Sequence, residues 1–251
     1  MQLYLRCKGL RLKPIISLRT EEFLLAPGIQ LEGKLGYMAI PPGLRFEINS
    51  PVAAYEEGLK FFAGKGMLNN TLRRIVKDLE EKEIDYTVIG AVALNQHGYR
   101  RFTEDIDLLL TKAGLERFHE ELVGRGYRPA FEGARRMFRT VAEGVSIEVV
   151  TTGEYPGDGR PKPVRFPDPK DVAVYIDGVK TVSLEKLVEL KLASGTSAPD
   201  RLKDLADVQE LIKVKDLAPD FVLSLDPSVR EKFNELHRAV RNARERKRGE
   251  E

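Results

Sequence analysis

The chain has 251 residues, of which 42% are hydrophobic and 32% are charged, and its formal net charge is +2. This length and composition allow one large domain or two small ones, and the near-neutral charge gives no general argument for a nucleic-acid coat. A single cysteine, Cys7, excludes an intrachain disulfide framework and a cysteine-based zinc cluster. No stretch reaches the roughly 20 apolar residues that span a bilayer. Because charges also interrupt the first apolar runs, we expect a soluble cytoplasmic protein without a membrane partner.

Residues 1–66 differ in composition from the rest of the chain. Glycine and proline interrupt short apolar pieces such as YMAI and LRFEI, which are typical of short strands. A helical period is visible only around VAAYEEGLKFFAGKG. We expect residues 1–66 to form a small N-terminal extension that is β-rich or partly ordered.

Residues 67–182 alternate between helix and strand patterns. NNTLRRIVKDLEEKEI has apolar residues at helical spacing, with Asn69 or Asn70 as a candidate N-cap. DYTVIG predicts a buried strand that ends at Gly90, AVALNQHGY a short helix, and DIDLLL the next strand. AGLERFHEELVGRGY predicts an amphipathic helix, and RRMFRTVAEGVSIEVVTT a hairpin that turns at 143–144. This alternation favours an α/β core, a mixed sheet flanked by helices.

A loop rich in proline and glycine, residues 153–171, precedes a second hairpin pattern, VAVYIDGVKTVS. SLEKLVELKLASG then predicts a helix from an N-cap at Ser183 to Gly195, and APDRLKDLADVQELIKV predicts another. A last helix should begin at 226–227 and end in the basic tail HRAVRNARERKRGEE. Residues 183–251 therefore form a predicted C-terminal helical region. The positive charge of this tail is typical of a segment that binds RNA phosphates. It is equally typical of a solvated helix end, where positive charge is favoured by the helix dipole.

Two aspartates interrupt the apolar pattern DIDLLL. In a strand, Asp105 and Asp107 project from one face while Ile106 and Leu108 project from the other. Two unit charges about 4 Å apart repel by roughly 4 kcal/mol at an effective dielectric near 20, unless a cation or water screens them. Mg²⁺ suits the pair because it prefers carboxylate oxygens and shares its other positions with water and phosphates. The alternative is a solvated edge strand without a metal.

Glu148 is a third acid in an apolar strand pattern, VSIEVV. Val145, Ile147 and Val149 would share one face, which leaves Glu148 on the opposite one. Placed beside Asp105, Glu148 would complete a two-metal site and help to deprotonate an attacking hydroxyl.

Gly90 ends one predicted strand and opens the next helix in VIGAVAL. A glycine there lets the backbone approach a ligand closely, and a helix N-terminus favours anions. A strand, a glycine, a helix and an acidic strand in this order predict a combined phosphate and metal site.

The stretch IGAVALNQHGYRRFTEDIDLLL resembles the core of the DNA-polymerase-β-type nucleotidyltransferase superfamily. That family's pattern is an apolar residue, Gly, then Ser or Gly, a spacer, and Asp-x-Asp or Asp-x-Glu. With LEKLVELKLASG and RLKDLADVQELI, the chain is most similar to the AbiEii-like branch, which includes toxins of type IV toxin–antitoxin systems. The resemblance spans residues 70–214, and the segment 101–107 is its most specific part.

The resemblance implies a nucleotidyltransferase fold and a role for each matching residue. The catalytic and metal-binding residues would be Asp105, Asp107 and Glu148. The nucleotide-binding residues would be Gly90, Ala91, Arg101, Thr103, Lys191 and Asp207. Ala91 departs from the family's Ser or Gly, so no hydroxyl is available there for a phosphate. From the residues alone, Lys191 could equally pair with Glu189 or Asp204, and Asp204 and Asp207 could form surface ion pairs.

The implied reaction moves a nucleoside monophosphate from a nucleoside triphosphate to an acceptor hydroxyl, with Mg²⁺ or alternatively Mn²⁺ as cofactor. The acceptor would be RNA such as tRNA, a protein or a small molecule, and the toxin branch adds an antitoxin protein as a partner. Two other functions stay open. One is a regulatory or toxin–antitoxin module that binds nucleotide without turnover, which Ala91 favours, and the other is a metal nuclease.

Overall fold

The computed structural model describes residues 51–250, whose framework is a seven-stranded mixed sheet with helices on both faces. The strands are β1 (Tyr86–Ile89), β2 (Asp105–Leu110), β3 (Tyr127–Pro129), β4 (Met137–Thr140), β5 (Ser146–Thr151), β6 (Ala173–Ile176) and β7 (Val179–Val182). The helices are α1 (Pro51–Phe62), α2 (Met67–Glu81), α3 (Gly90–Gln96), α4 (Lys112–Glu121), α5 (Pro169–Val172), α6 (Leu184–Ser197), α7 (Leu202–Lys215) and α8 (Pro227–Glu250). Among these described residues, no helix is both long and apolar enough to cross a membrane.

The sheet order is β3-β4-β5-β2-β1-β7-β6. β2 is parallel to β5 and β1 to β7, while the other neighbouring pairs are antiparallel. The predicted fold class, a mixed sheet flanked by helices, is therefore confirmed. Both predicted hairpins are present as β4–β5 and β6–β7. The second turns at Asp177 and Gly178, whose positive φ angles of 49° and 80° suit a two-residue hairpin turn.

The two faces of the sheet bury two separate apolar clusters. Ile106 and Leu108 of β2 are fully buried in the cluster that contains α2 and α4 residues. Leu109 projects from the other face into a cluster built on α6, α7 and α8. Burying a side chain such as Leu109 stabilises the fold by roughly 1.5–3 kcal/mol. Asp105 and Asp107 share the face of Leu109, because alternate strand residues share a face.

The start of α2 differs from the prediction. Its N-cap is Gly66 rather than Asn69 or Asn70, and the Glu57 carboxylate of α1 accepts the Met67 N–H at 2.6 Å. The cap therefore comes from the preceding helix, which local sequence spacing does not show. The strands predicted in YMAI and LRFEI lie outside the described residues, as does most of the 1–66 extension. Its last part forms α1, where the sequence has its helical period.

The end of α6 also differs from the prediction. Ser183 is the predicted cap and accepts the Lys186 N–H at 3.3 Å, but the helix continues through Gly195 to Ser197. A Cβ on Gly195 would lie 2.7 Å from Cγ of Leu205. The glycine therefore allows α6 and α7 to approach closely instead of ending the helix. The chain also forms β3 and α5, which the sequence patterns did not predict, and α8 continues through the basic tail.

His97 connects the end of α3 to the sheet. Its side chain is buried, and its Nε2 lies 2.7 Å from the carbonyl oxygen of Val182, so the neutral ring donates this hydrogen bond. Burial lowers the pKa of His97 below its usual value of 6.5.

The lowered pKa of His97 predicts a pH-dependent stability. Because the unfolded state binds this proton more readily, the stability contributed by neutral His97 should be complete above about pH 6.5 and decline as the pH falls below it. Urea unfolding between about pH 5 and pH 8 should give a steeper loss of unfolding free energy for the wild type than for His97→Gln. His119→Gln, at a partly exposed histidine whose Nε2 contacts the carbonyl oxygen of Arg135, serves as the control. Parallel pH profiles for the wild type and His97→Gln would contradict the prediction.

Candidate metal and nucleotide site

Three carboxylates converge on the sheet face that α6–α8 partly cover. The parallel register pairs Asp107 with Glu148 and Asp105 with Ser146. One carboxylate oxygen from each of the three acids lies within 4.8 Å of the others. Within residues 51–250, no other group of three acids, histidines or cysteines has a spacing that could hold a metal ion. In the strand register Glu148 pairs with Asp107, and its carboxylate also lies within 4.8 Å of that of Asp105, as the sequence predicts.

Gly90 lies against the Asp107 carboxylate. Ile89 of β1 pairs with Asp107 in the antiparallel register, so the chain leaving β1 passes directly over this acid. Gly90 has a φ of +64°, and a Cβ built on it would lie only 1.8 Å from Oδ2 of Asp107. Glycine is therefore required at this position for two reasons. The backbone has a left-handed conformation, and a Cβ would clash with the Asp107 carboxylate.

The Asp107 carboxyl is held in an environment that disfavours its charge. Burial raises its pKa to about 7, and the negative charges of Asp105 and Glu148 act in the same direction. The ammonium group of Lys191 and the backbone N–H of Ala91 oppose the rise. Three oxygen donors of this kind fit a hard divalent cation such as Mg²⁺, whose charge would relieve their mutual repulsion.

The loop before β2 is fastened to α3 by Asn95. The Asn95 side-chain amide donates to the carbonyl oxygens of Ala91 at 2.8 Å and Arg101 at 2.5 Å, and it accepts the Arg101 N–H at 3.0 Å. Further along the loop, the Thr103 hydroxyl donates to the Asp105 carboxylate. Thr103 therefore orients one of the three acids, and Asn95 fixes the loop that carries it.

Lys191 lies in a buried ion network between α6 and α7. Its Nζ donates to Oδ1 of Asp204 at 2.8 Å and to Oδ2 of Asp207 at 2.7 Å. Arg101 donates to the same oxygen of Asp207 at 2.8 Å, and the Ser194 hydroxyl donates to Asp204 at 2.7 Å. Asp204 and Asp207 are each 3% exposed, so the alternative of surface ion pairs is wrong. The pairing of Lys191 with Asp204, which the sequence left open, is present.

The network defines what Lys191 contributes in this conformation. Two carboxylates engage its ammonium group, and its positive charge lowers the pKa of nearby Asp107. Arg101 is likewise engaged and connects the loop before β2 to α7. The nucleotide-binding roles implied for Lys191, Arg101 and Asp207 stay predictions.

The sequence analysis did not identify Asn95 or Ser194 as parts of the site. Each lies inside a helix, and its own spacing shows no pattern that distinguishes it from a surface polar residue. Their positions in the site are visible only in the folded structure, where Asn95 hydrogen-bonds to Arg101 and Ser194 donates to the Asp204 carboxylate.

Comparisons with known proteins assign no family. The chain matches no protein-family model and no curated protein. Solved structures that align with it include ANT(2″)-Ia in complex with adenylyl-2″-tobramycin, at 15% identity and a TM-score of 0.44 over 69% of this chain and 97% of that one. TM1012 from Thermotoga maritima aligns at 21% identity and a TM-score of 0.38 over 55% and 89%. JHP933 from Helicobacter pylori aligns at 16% and 0.39 over 72% and 94%. At these values the similarities transfer no activity to this chain.

Replacing Gly90 should damage the site more than an ordinary glycine replacement does. A left-handed conformation costs an alanine about 1–2 kcal/mol, and Gly90→Ala must in addition displace Asp107. Gly98→Ala is the matched control, because Gly98 also has a positive φ (+94°) but its added Cβ would meet only Val214 at 3.6 Å. Chemical unfolding should show the larger loss for Gly90→Ala, and only this variant should lose stabilisation by added Mg²⁺. Equal losses in the two variants would show that the contact with Asp107 is unimportant.

Asp107→Asn should stabilise the metal-free protein at alkaline pH. An ionised Asp107 with a pKa raised to about 7 destabilises the fold, so wild-type stability in chelator should fall as the pH rises through about 7. The asparagine variant should unfold at a higher temperature than the wild type at about pH 8, and the difference should shrink near pH 5, where Asp107 is protonated. Added Mg²⁺ should then stabilise the wild type and not the variant. A variant that is less stable than the wild type in chelator at alkaline pH would refute this account of the acids.

Proposed function

We propose that this protein is a metal-dependent nucleotidyltransferase, which moves a nucleoside monophosphate from a nucleoside triphosphate to an acceptor hydroxyl. The observation that supports this most directly is the convergence of Asp105, Asp107 and Glu148 within 4.8 Å beside the Gly90 turn. The motif resemblance in the sequence favours the same reaction class.

The donor set fits the proposed metal. Asp105 and Asp107 supply two carboxylates from one strand, and Glu148 supplies a third from the parallel neighbour. Bound Mg²⁺ would neutralise charge on the transferring phosphate and the departing pyrophosphate, a large part of catalysis in phosphoryl transfer. Thr103 keeps the Asp105 carboxylate oriented toward this task through its hydrogen bond.

The sheet order gives the site two sides. β2 lies between β1, which ends at Gly90, and β5, which carries Glu148. The Gly90 turn leaves the backbone without a side chain where the triphosphate would approach, and the Ala91 N–H is directed at the acids. Glu148 lies on the opposite side, where the acceptor would enter, and we assign it the uptake of the proton from the attacking hydroxyl. In-line displacement requires these two substrates to approach from opposite sides.

The acceptor we propose first is RNA, with tRNA as the specific candidate, followed by protein and small-molecule hydroxyls. RNA, the toxin role and an antitoxin partner are supported by the motif resemblance. The basic tail on α8, which includes the exposed Arg238 and Arg246, adds positive charge of the kind that attracts RNA.

The transfer reaction can be tested directly. The full chain is incubated with each labelled nucleoside triphosphate, Mg²⁺ and total RNA that includes tRNA, and label in RNA is measured. We expect transfer by the wild type and a loss of roughly a hundredfold or more in Asp105→Asn, Asp107→Asn and Glu148→Gln, because each change removes several kcal/mol of charge stabilisation. Glu104→Gln, at an exposed acid beside Asp105, is the matched control and should retain transfer.

Two outcomes would contradict the proposal. Shortening of RNA instead of labelling would indicate a metal nuclease. Tight binding of a triphosphate without transfer to RNA, protein or small-molecule acceptors would indicate a module without turnover.

A further inference from the structure

The sheet face that carries the three acids is covered on one side of them only. The apolar cluster under α6–α8 contains Ile89 of β1, Leu109 of β2 and Val182 of β7. None of the members of this cluster belongs to β3 or β4. Met137 of β4 pairs with Glu148 and is 38% exposed. Within residues 51–250, the apolar cluster under α6–α8 therefore does not extend over the surface that begins at Glu148 and continues over β4 and β3.

Two partly exposed arginines, Arg128 and Arg139, lie on this surface in line with the acids. Asp105 pairs with Ser146, Ser146 with Arg139, and Arg139 with Arg128. Residues paired across neighbouring strands project from the same face, so these four side chains form one row across the sheet. With strands about 4.8 Å apart, the Cα of Arg139 lies about 10 Å, and that of Arg128 about 14 Å, from the Cα of Asp105.

Among the residues that the structure describes, no carboxylate neutralises the positive charges of these two arginines. Like charges directly opposite on antiparallel strands repel. The Arg139 guanidinium donates to the carbonyl oxygen of Gly144 at 3.0 Å, and Nη2 of Arg128 is buried without any hydrogen-bond partner. In the part of the chain that the structure describes, neighbouring Arg136 pairs with Glu154, whereas no carboxylate forms an ion pair with Arg128 or Arg139. A buried, unpaired guanidinium N–H is unfavourable, and phosphate matches the paired donors of arginine.

We propose that Arg128 and Arg139 form a phosphate-binding subsite for the acceptor. This inference rests on the proposed function, because the row begins at the metal-binding acids and continues on the side away from Gly90. The acceptor would then carry a phosphate on the order of 10 Å from its attacking hydroxyl. A phosphodiester of an RNA strand and the phosphate of a small phosphorylated sugar supply the same chemistry.

Binding of inorganic phosphate to the full chain tests the subsite without any transfer reaction. Calorimetry at constant ionic strength, with chloride as the balancing anion, compares the wild type with Arg128→Gln and Arg139→Gln. Loss of one charge-assisted contact should raise the Kd for phosphate by about tenfold or more. Arg125→Gln, at an exposed arginine that pairs with Glu121, is the matched control and should bind as the wild type does.

A conservative variant keeps this test independent of folding defects. Arg128→Lys retains the charge but loses the paired donors, so it should bind phosphate with an affinity between those of the wild type and Arg128→Gln. Equal affinity in the wild type and both glutamine variants, or no saturable binding by the wild type, would overturn the subsite.

Transfer assays then test whether the subsite serves the acceptor. A ribodinucleotide is compared with its nucleoside, and a phosphorylated sugar with the free sugar. Arg128→Gln and Arg139→Gln should raise KM for the phosphate-bearing acceptor about tenfold and leave KM for the triphosphate unchanged. Preference for the dinucleotide would identify RNA as the source of the phosphate, and preference for the phosphorylated sugar would identify a small molecule.

The two assays separate failure of the subsite from failure of the proposed function. Unchanged KM for the phosphate-bearing acceptor in both arginine variants would overturn the acceptor role. If the wild type labels no acceptor at all, the proposed transferase function fails and the acceptor role fails with it. Phosphate binding that depends on Arg128 and Arg139 would still establish the anion site in that case.

Discussion

The contact between Gly90 and Asp107 is the constraint on which the geometry of the site depends. Pairing of Ile89 with Asp107 brings the end of β1 over a partly buried acid, and the 1.8 Å separation for an added Cβ leaves no space for a side chain. The same glycine turns the chain into α3. That helix then presents the Ala91 N–H to the acids and carries Asn95, which fixes the loop before β2. The backbone at Gly90 thus determines both the position of the acids and the position of α3 beside them.

The buried ion network imposes the second constraint. Desolvating Lys191, Asp204 and Asp207 is costly, and apolar side chains of similar volume often stabilise a core as well as an ion pair does. Stability alone therefore does not explain the network. Its geometric effect is specific, because Arg101 and Lys191 share one oxygen of Asp207 and so connect the loop before β2 to both α6 and α7. The network also places a positive charge near Asp107 without exposing a lysine to solvent.

The sequence predicted the features that depend on strand periodicity. A period of two places Asp105 and Asp107 on the strand face opposite Ile106 and Leu108, and Glu148 on the face opposite Ile147. The structure brings these three acids together. The pairing of Glu148 with Asp107 instead of Asp105 depends on the register between β2 and β5, which local sequence does not encode. The burial of Asp204 was missed for a similar reason. A charged residue near other charges in a helix pattern is typical of a surface, and only the packing of α6 on α7 shows that these charges neutralise one another inside the protein.

The uneven covering of one sheet face separates two chemical environments. Helices α6–α8 cover apolar residues of β1, β2 and β7, while Gly90 itself stays partly exposed beside the acids. Beyond Glu148, the cluster under α6–α8 does not cover the face. This part of the face bears Arg139 and Arg128, whose charges have no acidic partner among the described residues. Electrostatic attraction is stronger near a low-dielectric wall than in open water. An anionic group that enters over β4 would therefore be drawn toward the arginines and kept from the three carboxylates, unless a metal ion had first neutralised the acids. Under the proposed function, the metal would therefore bind before the acceptor, since only a bound cation neutralises the carboxylates at the Asp105 end of the row.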